Sequence, residues 1–397
     1  MSKKVVLAFS GGLDTSYCAV YLAKEMGLEV HAALANTGGF SKEELEKIEQ
    51  RAWALGVKSY VCLDVSQEYY EQSIKYMIFG NVLKNGTYPI SVSSERISQA
   101  TAIAEYALKL DADYICHGST GAGNDQVRFD MIFEIIAPKI EVIALIREKR
   151  LSREEEIEYL RKNGVDFDFK KAEYSINQGI WGTSVGGKET LTSSETLPEE
   201  AYPSQLKETT PKRVKLTFEK GEMVAIDGVR YDDRVKGIQE LQKIAAPYAI
   251  GRDMHVGDTI IGIKGRVGFE AAAPMIIIKS HHTLEKHTLT KWQLFWKDQI
   301  SAFYGNYLHE GQYYDPVMRD IEAMLDSSQK YVSGDVIVEL LPYRFVVVGI
   351  ESEHDLMSSR FGSYGEMMAD WTGEDVKGFT KIFGNQVAMH RKINGGE

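Results

Sequence analysis

The sequence predicts an α/β protein: an N-terminal, doubly wound parallel sheet, then a second α+β domain, then a C-terminal helix. Three observations support this prediction. Short apolar runs alternate with helical patterns in the first half, the composition changes after about residue 170, and a helical apolar pattern spans residues 378–392. Strands that alternate with helices form right-handed βαβ units and therefore a parallel sheet. The predicted domains are 1–170 and 171–365, followed by a tail over 366–397.

The first half contains five short runs with the composition of strands, and the first is apolar throughout, as in a strand buried on both faces. The five runs are Val5–Phe9, Val30–Ala35, Ser59–Val65, Tyr114–His117 and Ile140–Ile146. Helical patterns follow over 13–26, 68–83 and 96–110. Two further helices begin at capping boxes, formed by Ser41 with Glu44 and by Ser152 with Glu155.

The second half has a different pattern. Residues 182–212 are rich in Gly, Thr, Ser, Glu and Pro and indicate a long excursion. Two hairpins are expected, Val214–Phe218 with Met223–Ile226 and Asp335–Leu341 with Tyr343–Ile350. Helices are expected over Val235–Ala245, over Leu284–Tyr307 and in the tail from Gly378 to Lys392. The apolar stripe of the tail packs either on its own domain or on another subunit.

The charge balance excludes some classes of function. The 397 residues include 46 Lys and Arg against 57 Asp and Glu, a net charge of −11. That balance argues against a nonspecific nucleic-acid or membrane-surface binder. No apolar run approaches the roughly 18 residues of a membrane-spanning helix. The apolar run that follows Lys4 is too short for a signal peptide.

Cysteine and histidine usage predicts neither disulfides nor a protein-bound metal. The cysteines at 18, 62 and 116 lie far apart among apolar neighbours, which favours buried thiols in a reducing cytoplasm. No CxxC pair is present, and His281, His282 and His287 fit no usual ligand spacing. We therefore expect a cytoplasmic protein.

The strongest functional signal is Ser10-Gly11-Gly12-Leu13-Asp14-Thr15-Ser16, where the first strand turns into the first helix. The glycines allow the backbone to approach an anion, and N–H groups at the helix start point toward it. The loop has no Walker A lysine and no GxGxxG. A tight strand–helix turn with a capping residue is the alternative. The complete string resembles the pyrophosphate-binding loop of enzymes that split ATP between its α- and β-phosphates.

A second cluster, GSTGAGNDQVRF at 118–129, follows the strand Tyr114–His117 and is expected to be a loop. Ligands of parallel sheets bind at the carboxyl ends of the strands, so this loop should face the first one. Three glycines beside Asn, Asp, Gln and Arg make a poor core. An irregular surface loop is the alternative.

Together these segments resemble the argininosuccinate synthase family. The resemblance includes the SGGLDTS loop, the strand ending in Leu34-Ala35-Asn36, and GSTGAGNDQVRFD from Gly118. It continues through YSIN at 174–177, WGTS at 181–184, GRD at 251–253 and GIKGR at 262–266, and so spans most of the chain. The stretch NDQVRF at 124–129 is the most specific, because related ATP pyrophosphatases do not share it.

The resemblance implies a ligase of arginine biosynthesis built on an adenine-nucleotide α-hydrolase-like domain. The ureido oxygen of citrulline attacks the α-phosphate of ATP, and pyrophosphate leaves. The amino group of aspartate then displaces AMP from the citrullyl-adenylate. Such adenylation needs positioning and a charge-neutralised leaving group rather than a side-chain nucleophile. Mg²⁺ is the expected counter-charge, and a homotetramer joined by the C-terminal helix is the expected assembly.

The resemblance also implies roles for individual residues. The catalytic residues would be Asp14 and Asp125. ATP would contact Ala8, Phe9, Ser10, Gly11, Gly12, Leu13, Asp14, Thr15, Ser16, Ala35 and Gly118. Aspartate would be held by Thr120, Asn124 and Asp125. Citrulline would be held by Tyr88, Ser93, Asn124, Arg128, Ser175, Ser184, Gly257 and Phe269. The partners are thus small molecules, with no nucleic acid and no membrane.

The sequence departs from the family pattern at several positions. Ala122 replaces a usual lysine, and Ser94-Glu95-Arg96 replaces Ala-Arg-Pro. Gly257 replaces a citrulline-binding glutamate, and Phe269 replaces a citrulline-contacting tyrosine. Either Asp258 substitutes for the missing glutamate and citrulline remains the substrate, or the glycine leaves room for an N-acylated citrulline. We favour free citrulline, because the rest of the family pattern is kept.

Other functions are less well supported by the residues. A tRNA thiolase needs reactive cysteines and a basic face, and an amidotransferase-linked synthetase needs a glutaminase module with a catalytic cysteine. A nucleotide-binding sensor would not need a long second domain with Ser175, Ser184 and Lys264. Formation of AMP from ATP distinguishes a ligase from a sensor.

Overall fold

The computed structural model describes residues 2–165, 174–358, 360 and 362–395. The predicted boundary between residues 170 and 171 lies outside these residues, so the division into 1–170, 171–365 and 366–397 stays a prediction. The strands of the described residues are β1 (Lys4–Ala8), β2 (Glu29–Asn36), β3 (Ser59–Asp64), β4 (Tyr114–Cys116), β5 (Glu141–Ile143), β6 (Ser175–Gly179), β7 (Gly182–Gly186), β8 (Lys212–Glu219), β9 (Glu222–Ile226), β10 (Val229–Arg230), β11 (Arg252–Asp258), β12 (Lys264–Glu270), β13 (Gly334–Leu341) and β14 (Arg344–Glu351).

The α-helices of the same residues are α1 (Leu13–Lys24), α2 (Lys42–Ala54), α3 (Ser66–Tyr69), α4 (Lys75–Phe79), α5 (Ser91–Leu110), α6 (Asp125–Ile136), α7 (Leu145–Lys149), α8 (Arg153–Lys162), α9 (Arg234–Ala245), α10 (Ala272–Thr288), α11 (Lys291–His309), α12 (Pro316–Ser328), α13 (Gly373–Phe383) and α14 (Asn385–Ile393). A π-helical turn over Tyr70–Ile74 joins α3 to α4. Both predicted capping boxes are present, at the starts of α2 and α8.

The first half folds as a five-stranded parallel sheet in the order β3-β2-β1-β4-β5. Successive residues of β1 enter different cores. Val5 and Leu7 belong to the cluster that contains Tyr17 of α1. Val6 belongs instead to the cluster that contains Ile97 of α5. Helices therefore cover both faces of the sheet, which confirms the predicted doubly wound α/β class.

Strand β1 is the point at which the strand order reverses, because β2 lies on one side of it and β4 on the other. The loops after β1 and β4 both leave the sheet at its carboxyl edge and lie side by side. Ligands of open α/β sheets bind in the crevice at this position. The fold therefore brings together the two loops with the strongest sequence signals.

The second half forms two antiparallel sheets, one in the order β10-β9-β8-β13-β14 and one in the order β11-β12-β7-β6. The hairpins β8–β9 and β13–β14 are the two that were predicted. The cluster that contains Val6 also contains Leu216 of β8 and Ile276 of α10. One apolar core therefore continues from the parallel sheet into the α+β half.

The helix predicted over Leu284–Tyr307 is wrong, because two helices occupy this region. Helix α10 ends at Thr288, and Leu289 has an extended backbone with φ −104° and ψ 148°. Thr290 then begins a new capping box, in which its N–H donates to Gln293 Oε1 at 3.0 Å. A polar capping signal between two apolar stretches therefore outweighs the continuous helical periodicity.

Three shorter predictions also need correction. The cluster at 118–129 is a loop only as far as residue 124, since α6 begins at Asp125. The excursion predicted over 182–212 begins as strand β7, and the strand predicted over Ile140–Ile146 continues only to Ile143 before α7 begins. Cys62 is exposed rather than buried, because its side chain leaves the outermost strand of the parallel sheet.

The tail is helical, as predicted, but Gly384 divides it into α13 and α14. Neither helix has a buried residue. The exposed apolar side chains along the two helices include Phe379, Ile382, Phe383, Val387 and Ile393. The apolar stripe therefore does not pack on the core of its own chain. Among the described helices, none is both long and apolar enough to cross a membrane.

Candidate active site

The loop between β1 and α1 leaves the start of the helix open. Gly11 has φ +74°, a left-handed conformation that favours glycine, and a Cβ there would lie 3.1 Å from Ile48 Cγ1. Gly12 is the N-cap of α1, and no side chain caps the helix. Ser10 Oγ lies 3.3 Å from Thr15 Oγ1 at this turn. N–H groups and hydroxyls therefore offer hydrogen-bond donors to an anion.

The loop after β4 packs directly against this helix start. A Cβ on Gly118 would lie 3.0 Å from Thr15 Cγ2, so the absence of a side chain lets the two loops meet. His117 fixes the loop: its Nδ1 accepts a hydrogen bond from the Ser119 N–H at 3.1 Å, and its Nε2 pairs with Asp130 Oδ1 at 2.8 Å. One wall of the crevice is thus built largely from main chain.

Asp125 is held by two arginines at the start of α6. Its Oδ2 accepts from Arg96 Nε at 3.0 Å, and its Oδ1 accepts from Arg128 Nη1 at 2.6 Å. Burial by itself raises the pKa of Asp125, but the two guanidinium groups outweigh burial and lower the pKa to about 2. The carboxylate is therefore ionised at neutral pH. It can accept hydrogen bonds, but it is too weak a base to take a proton from an ammonium group.

Glu95 connects this carboxylate to the end of β2. Glu95 Oε1 accepts from Arg96 Nη1 at 2.8 Å, and its Oε2 accepts from Thr37 Oγ1 at 2.7 Å. A Cβ on Gly179 would overlap Glu95 Oε2, so the β6–β7 hairpin lies against the same carboxyl group. Glu95 therefore joins both halves of the chain behind the crevice.

On the other side, Arg128 connects Asp125 to α11. Its Nε donates to the carbonyl oxygen of His309 at 2.8 Å, and His309 Nδ1 pairs with Ser93 Oγ at 3.1 Å. Burial, followed by the charges of Arg128 and Lys84, lowers the pKa of His309 to about 2. His309 is therefore a neutral hydrogen-bonding group that positions Arg128.

The four-stranded sheet contributes the opposite wall. Directly paired residues in an antiparallel sheet, and every second residue along a strand, share one face. Ser184 pairs with Phe269, His255 pairs with Val267, and Gly257 pairs with Gly265. By this register, one face of the sheet contains Ser175, Ser184, Phe269, His255 and Gly257.

Tyr88 packs against this face. Its ring centroid lies 5.0 Å from that of His255 and 5.4 Å from that of Phe269. The connection between β11 and β12 also reaches α6, because the Ile260 N–H donates to Asn124 Oδ1 at 2.9 Å. The sheet face, the start of α5 and the start of α6 therefore surround one space.

Comparison with known proteins identifies the family. Residues 4–166 match the arginosuccinate synthase N-terminal HUP domain, and residues 174–390 match the arginosuccinate synthase C-terminal domain. The argininosuccinate synthases of Dictyoglomus thermophilum, Xanthomonas campestris pv. campestris and Methanocaldococcus jannaschii are 35%, 37% and 33% identical to the chain. These alignments cover 97%, 99% and 98% of the chain, and 96%, 99% and 98% of the respective relatives. The chain belongs to the argininosuccinate synthase family.

Most residues that the argininosuccinate synthase pattern assigns to ligands lie around the crevice. The loop 10–16 and Gly118 form one wall, and Ser93, Asp125 and Arg128 are joined by the hydrogen bonds described above. The opposite wall contains Tyr88, Ser184, Gly257 and Phe269. Thr120 and Ser175 are exposed at its margin. Contact of each residue with a ligand stays a prediction.

Several residues that the argininosuccinate synthase pattern assigns to ATP can offer only their main chain. The side chains of Phe9 and Leu13 are buried in the core of the parallel sheet, and that of Ala35 is buried in the neighbouring cluster. Ala8 precedes this turn on β1 and is partly buried. The contribution of these residues to the crevice therefore depends on backbone geometry rather than on their side chains.

Asp14 has a partner that the argininosuccinate synthase pattern did not indicate. Burial, followed by the neighbouring Asp14 carboxyl, raises the pKa of Glu156 to about 8. Burial also raises the pKa of Asp14. Because two neighbouring carboxylates repel each other, ionising both is unfavourable, and the pair retains a proton at neutral pH. The proton-sharing pair lies behind the loop, at the contact between α1 and α8.

The structure does not support either explanation for the glutamate missing at Gly257. The space above this glycine is filled, because a Cβ there would overlap His255 Nε2. The expectation that glycine leaves room for an acyl group is therefore wrong. Asp258 lies on the opposite face of β11, is 67% exposed and pairs with Lys264 at 2.6 Å. In this conformation Asp258 pairs with Lys264 rather than facing the crevice, and its role as a substitute carboxylate stays a prediction.

Sequence reasoning missed His255, His309 and Glu156 as parts of the site. Glu156 had a readable signal, because it lies four residues before Leu160 and so shares the buried face of α8. His255 had a weaker signal: it lies two residues from Gly257 on β11 and therefore on the same face of the strand. His309 had none, because only the tertiary packing of α11 brings it to Arg128.

Proposed function

We propose that this protein is an ATP-dependent ligase that joins citrulline and aspartate into argininosuccinate and releases AMP and pyrophosphate, as a step of arginine biosynthesis. The observation that supports this most strongly is the meeting of three groups in one crevice: the loop 10–16, the arginine-held Asp125 and the face of the four-stranded sheet. Membership of the argininosuccinate synthase family supports the same reaction.

In the first step, the ureido oxygen of citrulline attacks the α-phosphate of ATP and pyrophosphate leaves. The N–H groups at the start of α1, with the hydroxyls of Ser10 and Thr15, hold the leaving pyrophosphate. Mg²⁺ accompanies ATP as part of the substrate, since it prefers phosphate oxygens and keeps several water ligands. The described residues contain no group of three or more His, Cys, Asp or Glu placed to hold a metal ion.

In the second step, the amino group of aspartate, as the free amine after its ammonium proton has passed to solvent, attacks the ureido carbon of the adenylate. The new C–N bond forms as the C–O bond to AMP breaks, and the remaining proton on the attacking nitrogen also passes to solvent. Asp125 orients the incoming amine as a hydrogen-bond acceptor, while Thr120 and Asn124 complete the aspartate subsite. Because the pKa of Asp125 is held at about 2, its contribution is orientation rather than proton abstraction. Positioning of this kind supplies much of the acceleration in bimolecular reactions.

Free citrulline is the proposed ureido substrate. The family match runs through both halves of the chain, and the space that an N-acyl group would need beside Gly257 is filled by His255. Arg128, already held by Asp125 and His309, presents a guanidinium suited to the substrate carboxylate.

A homotetramer in the cytoplasm is the proposed state of the protein. The exposed apolar residues of α13 and α14 support subunit contacts through the tail. Three free cysteines support a reducing compartment. Citrulline, aspartate and ATP remain the proposed partners.

A product assay tests the proposed reaction. The protein is incubated with Mg²⁺, ATP, aspartate and citrulline, and the nucleotides are separated by chromatography. AMP and pyrophosphate should form only when citrulline is present, and argininosuccinate should match them in amount. ADP and phosphate instead would contradict the proposal, because they require attack at the γ-phosphate.

A further inference from the structure

His255 is a buried polar side chain in the wall of the crevice. It lies on β11, is 5% exposed and stacks on Tyr88 with an angle of 25° between the rings. Within the described part of the chain, neither nitrogen of its ring forms a hydrogen bond to a protein group. A buried polar group of this kind is costly unless a ligand or water satisfies it.

The same ring occupies the position that a side chain at residue 257 would take. Residues 255 and 257 lie on one face of β11, and a Cβ on Gly257 would overlap His255 Nε2. The imidazole and any larger residue at 257 therefore exclude each other. The absence of a side chain at Gly257 and the position of the His255 ring therefore depend on each other.

We propose that His255 is a specificity-determining residue that accepts a hydrogen bond from the α-ammonium group of the ureido substrate, in place of a carboxylate at position 257. This inference rests on the proposed function, because it assumes that citrulline binds in this crevice. Because Nε2 is turned toward Gly257, Nδ1 is the ring nitrogen that would accept this hydrogen bond.

The charges around the His255 ring are consistent with a neutral acceptor for the substrate ammonium. Burial, followed by the charge of Lys84, lowers the pKa of His255, so its ring is neutral and has a lone pair at pH 7. Lys84 and Arg128 are the neighbouring cations, and His309 is neutral. The two cations attract the substrate carboxylate, which leaves the uncharged imidazole as the acceptor for the ammonium.

The test compares citrulline with 5-ureidopentanoate, which has the same ureido and carboxylate groups but no α-ammonium. The wild-type protein should use citrulline with a kcat/KM about ten- to a hundredfold higher, the loss typical of a hydrogen bond to a charged group. His255→Leu, which keeps apolar volume, should lose this preference. His255→Gln, which keeps an acceptor, should retain part of it. The KM values for ATP and aspartate should stay unchanged in both variants.

Val256→Ala serves as the matched control, because Val256 is the next residue on β11, lies on the opposite face and is 51% exposed. Its preference for citrulline should equal that of the wild type. His255→Ala replaces the leucine variant if circular dichroism shows that the latter does not fold. An equal loss of activity toward both substrates would overturn the inference, since His255 would then be only structural.

The outcomes separate this inference from the proposed function. If the wild type forms no AMP with citrulline, the proposed function fails before the variants are compared. If the wild type is active and prefers N-acetylcitrulline, the reaction class stands and the inference about the ammonium is overturned. The inference about His255 is supported if the preference for citrulline disappears in His255→Leu, or in His255→Ala where that variant replaces it, and persists in Val256→Ala.

Discussion

Substituting Glu156 by Gln should stabilise the protein above neutral pH. The Glu156 side chain is 3% exposed, and one carboxyl oxygen, Oε2, has no hydrogen-bond partner in the described residues. Burial and the neighbouring Asp14 raise its pKa from an ordinary 4.5 to about 8. Glutamine has the shape of the protonated acid and never ionises. The variant therefore removes the cost of placing a second charge beside Asp14.

The direction of the pH dependence follows from the pKa of Glu156 in the unfolded and in the folded chain. In the unfolded chain Glu156 ionises near 4.5, whereas in the folded protein it stays protonated up to about 8. The stability due to the protonated carboxyl is thus fully present below 4.5 and is lost as pH rises toward 8. Each pH unit in this window lowers the free energy of unfolding by about 1.4 kcal/mol, to an upper bound of about 5 kcal/mol. Sharing of the proton with Asp14 reduces this figure.

Urea unfolding of the wild type and of Glu156→Gln at pH 6, 7, 8 and 9 measures the difference. The gap in free energy of unfolding should widen by about 1 kcal/mol per unit up to pH 8 and then stay constant. Glu158→Gln is the matched control, because Glu158 lies on the same helix, is 67% exposed and forms an ion pair with Lys162 at the surface. The difference in free energy of unfolding between Glu158→Gln and the wild type should be small and independent of pH. Parallel wild-type and Glu156→Gln curves would refute the shared proton.

Three other changes address the loop, the aspartate subsite and the tail. Gly11→Ala should raise the KM for ATP about tenfold or more and lower the melting temperature, because φ +74° and Ile48 at 3.1 Å oppose a Cβ. Gly12→Ala, at a residue with extended backbone, should impair ATP use with little loss of stability. If both variants had the same ATP kinetics as the wild type, the loop would be excluded as the phosphate site. Asp125→Asn should preserve positional isotope exchange in ATP without aspartate while argininosuccinate formation falls about a hundredfold; equal loss of both activities would contradict separate steps. Deletion from Gly378 should reduce the sedimentation coefficient to that of smaller assemblies while thermal unfolding of the remaining chain stays cooperative. An unchanged oligomer would contradict subunit contacts through the tail.

The parallel sheet could be predicted because its signals are local. An apolar run as short as Val5–Phe9, followed closely by two glycines, fits a doubly buried strand better than a helix. The capping boxes at Ser41 and Ser152 mark helix starts in the sequence itself. The division at Thr290 was equally readable, since Gln293 follows three residues later. There, apolar periodicity alone predicts one continuous helix, whereas the capping signal marks the boundary that the structure shows.

The antiparallel wall of the site could not be predicted in the same way. Strands β6 and β7 contain Ser, Asn and Gly rather than alternating apolar residues, because one face of the sheet borders the crevice. Which polar residues meet there depends on register across four strands. His255 and Tyr88 are far apart in sequence, and only the tertiary structure brings their rings together.

The contrast between a main-chain wall and a side-chain wall bears on how such enzymes diverge. The turn from β1 into α1 presents its backbone to the crevice while Phe9 and Leu13 point into the core. Substitutions of these two buried side chains that preserve the fold therefore leave the backbone surface of the turn unchanged. Along β11, by contrast, every second residue faces the crevice, so a single codon change alters a side chain that lines it. The chemical character of this wall can consequently change on one strand, while the main-chain wall keeps its geometry.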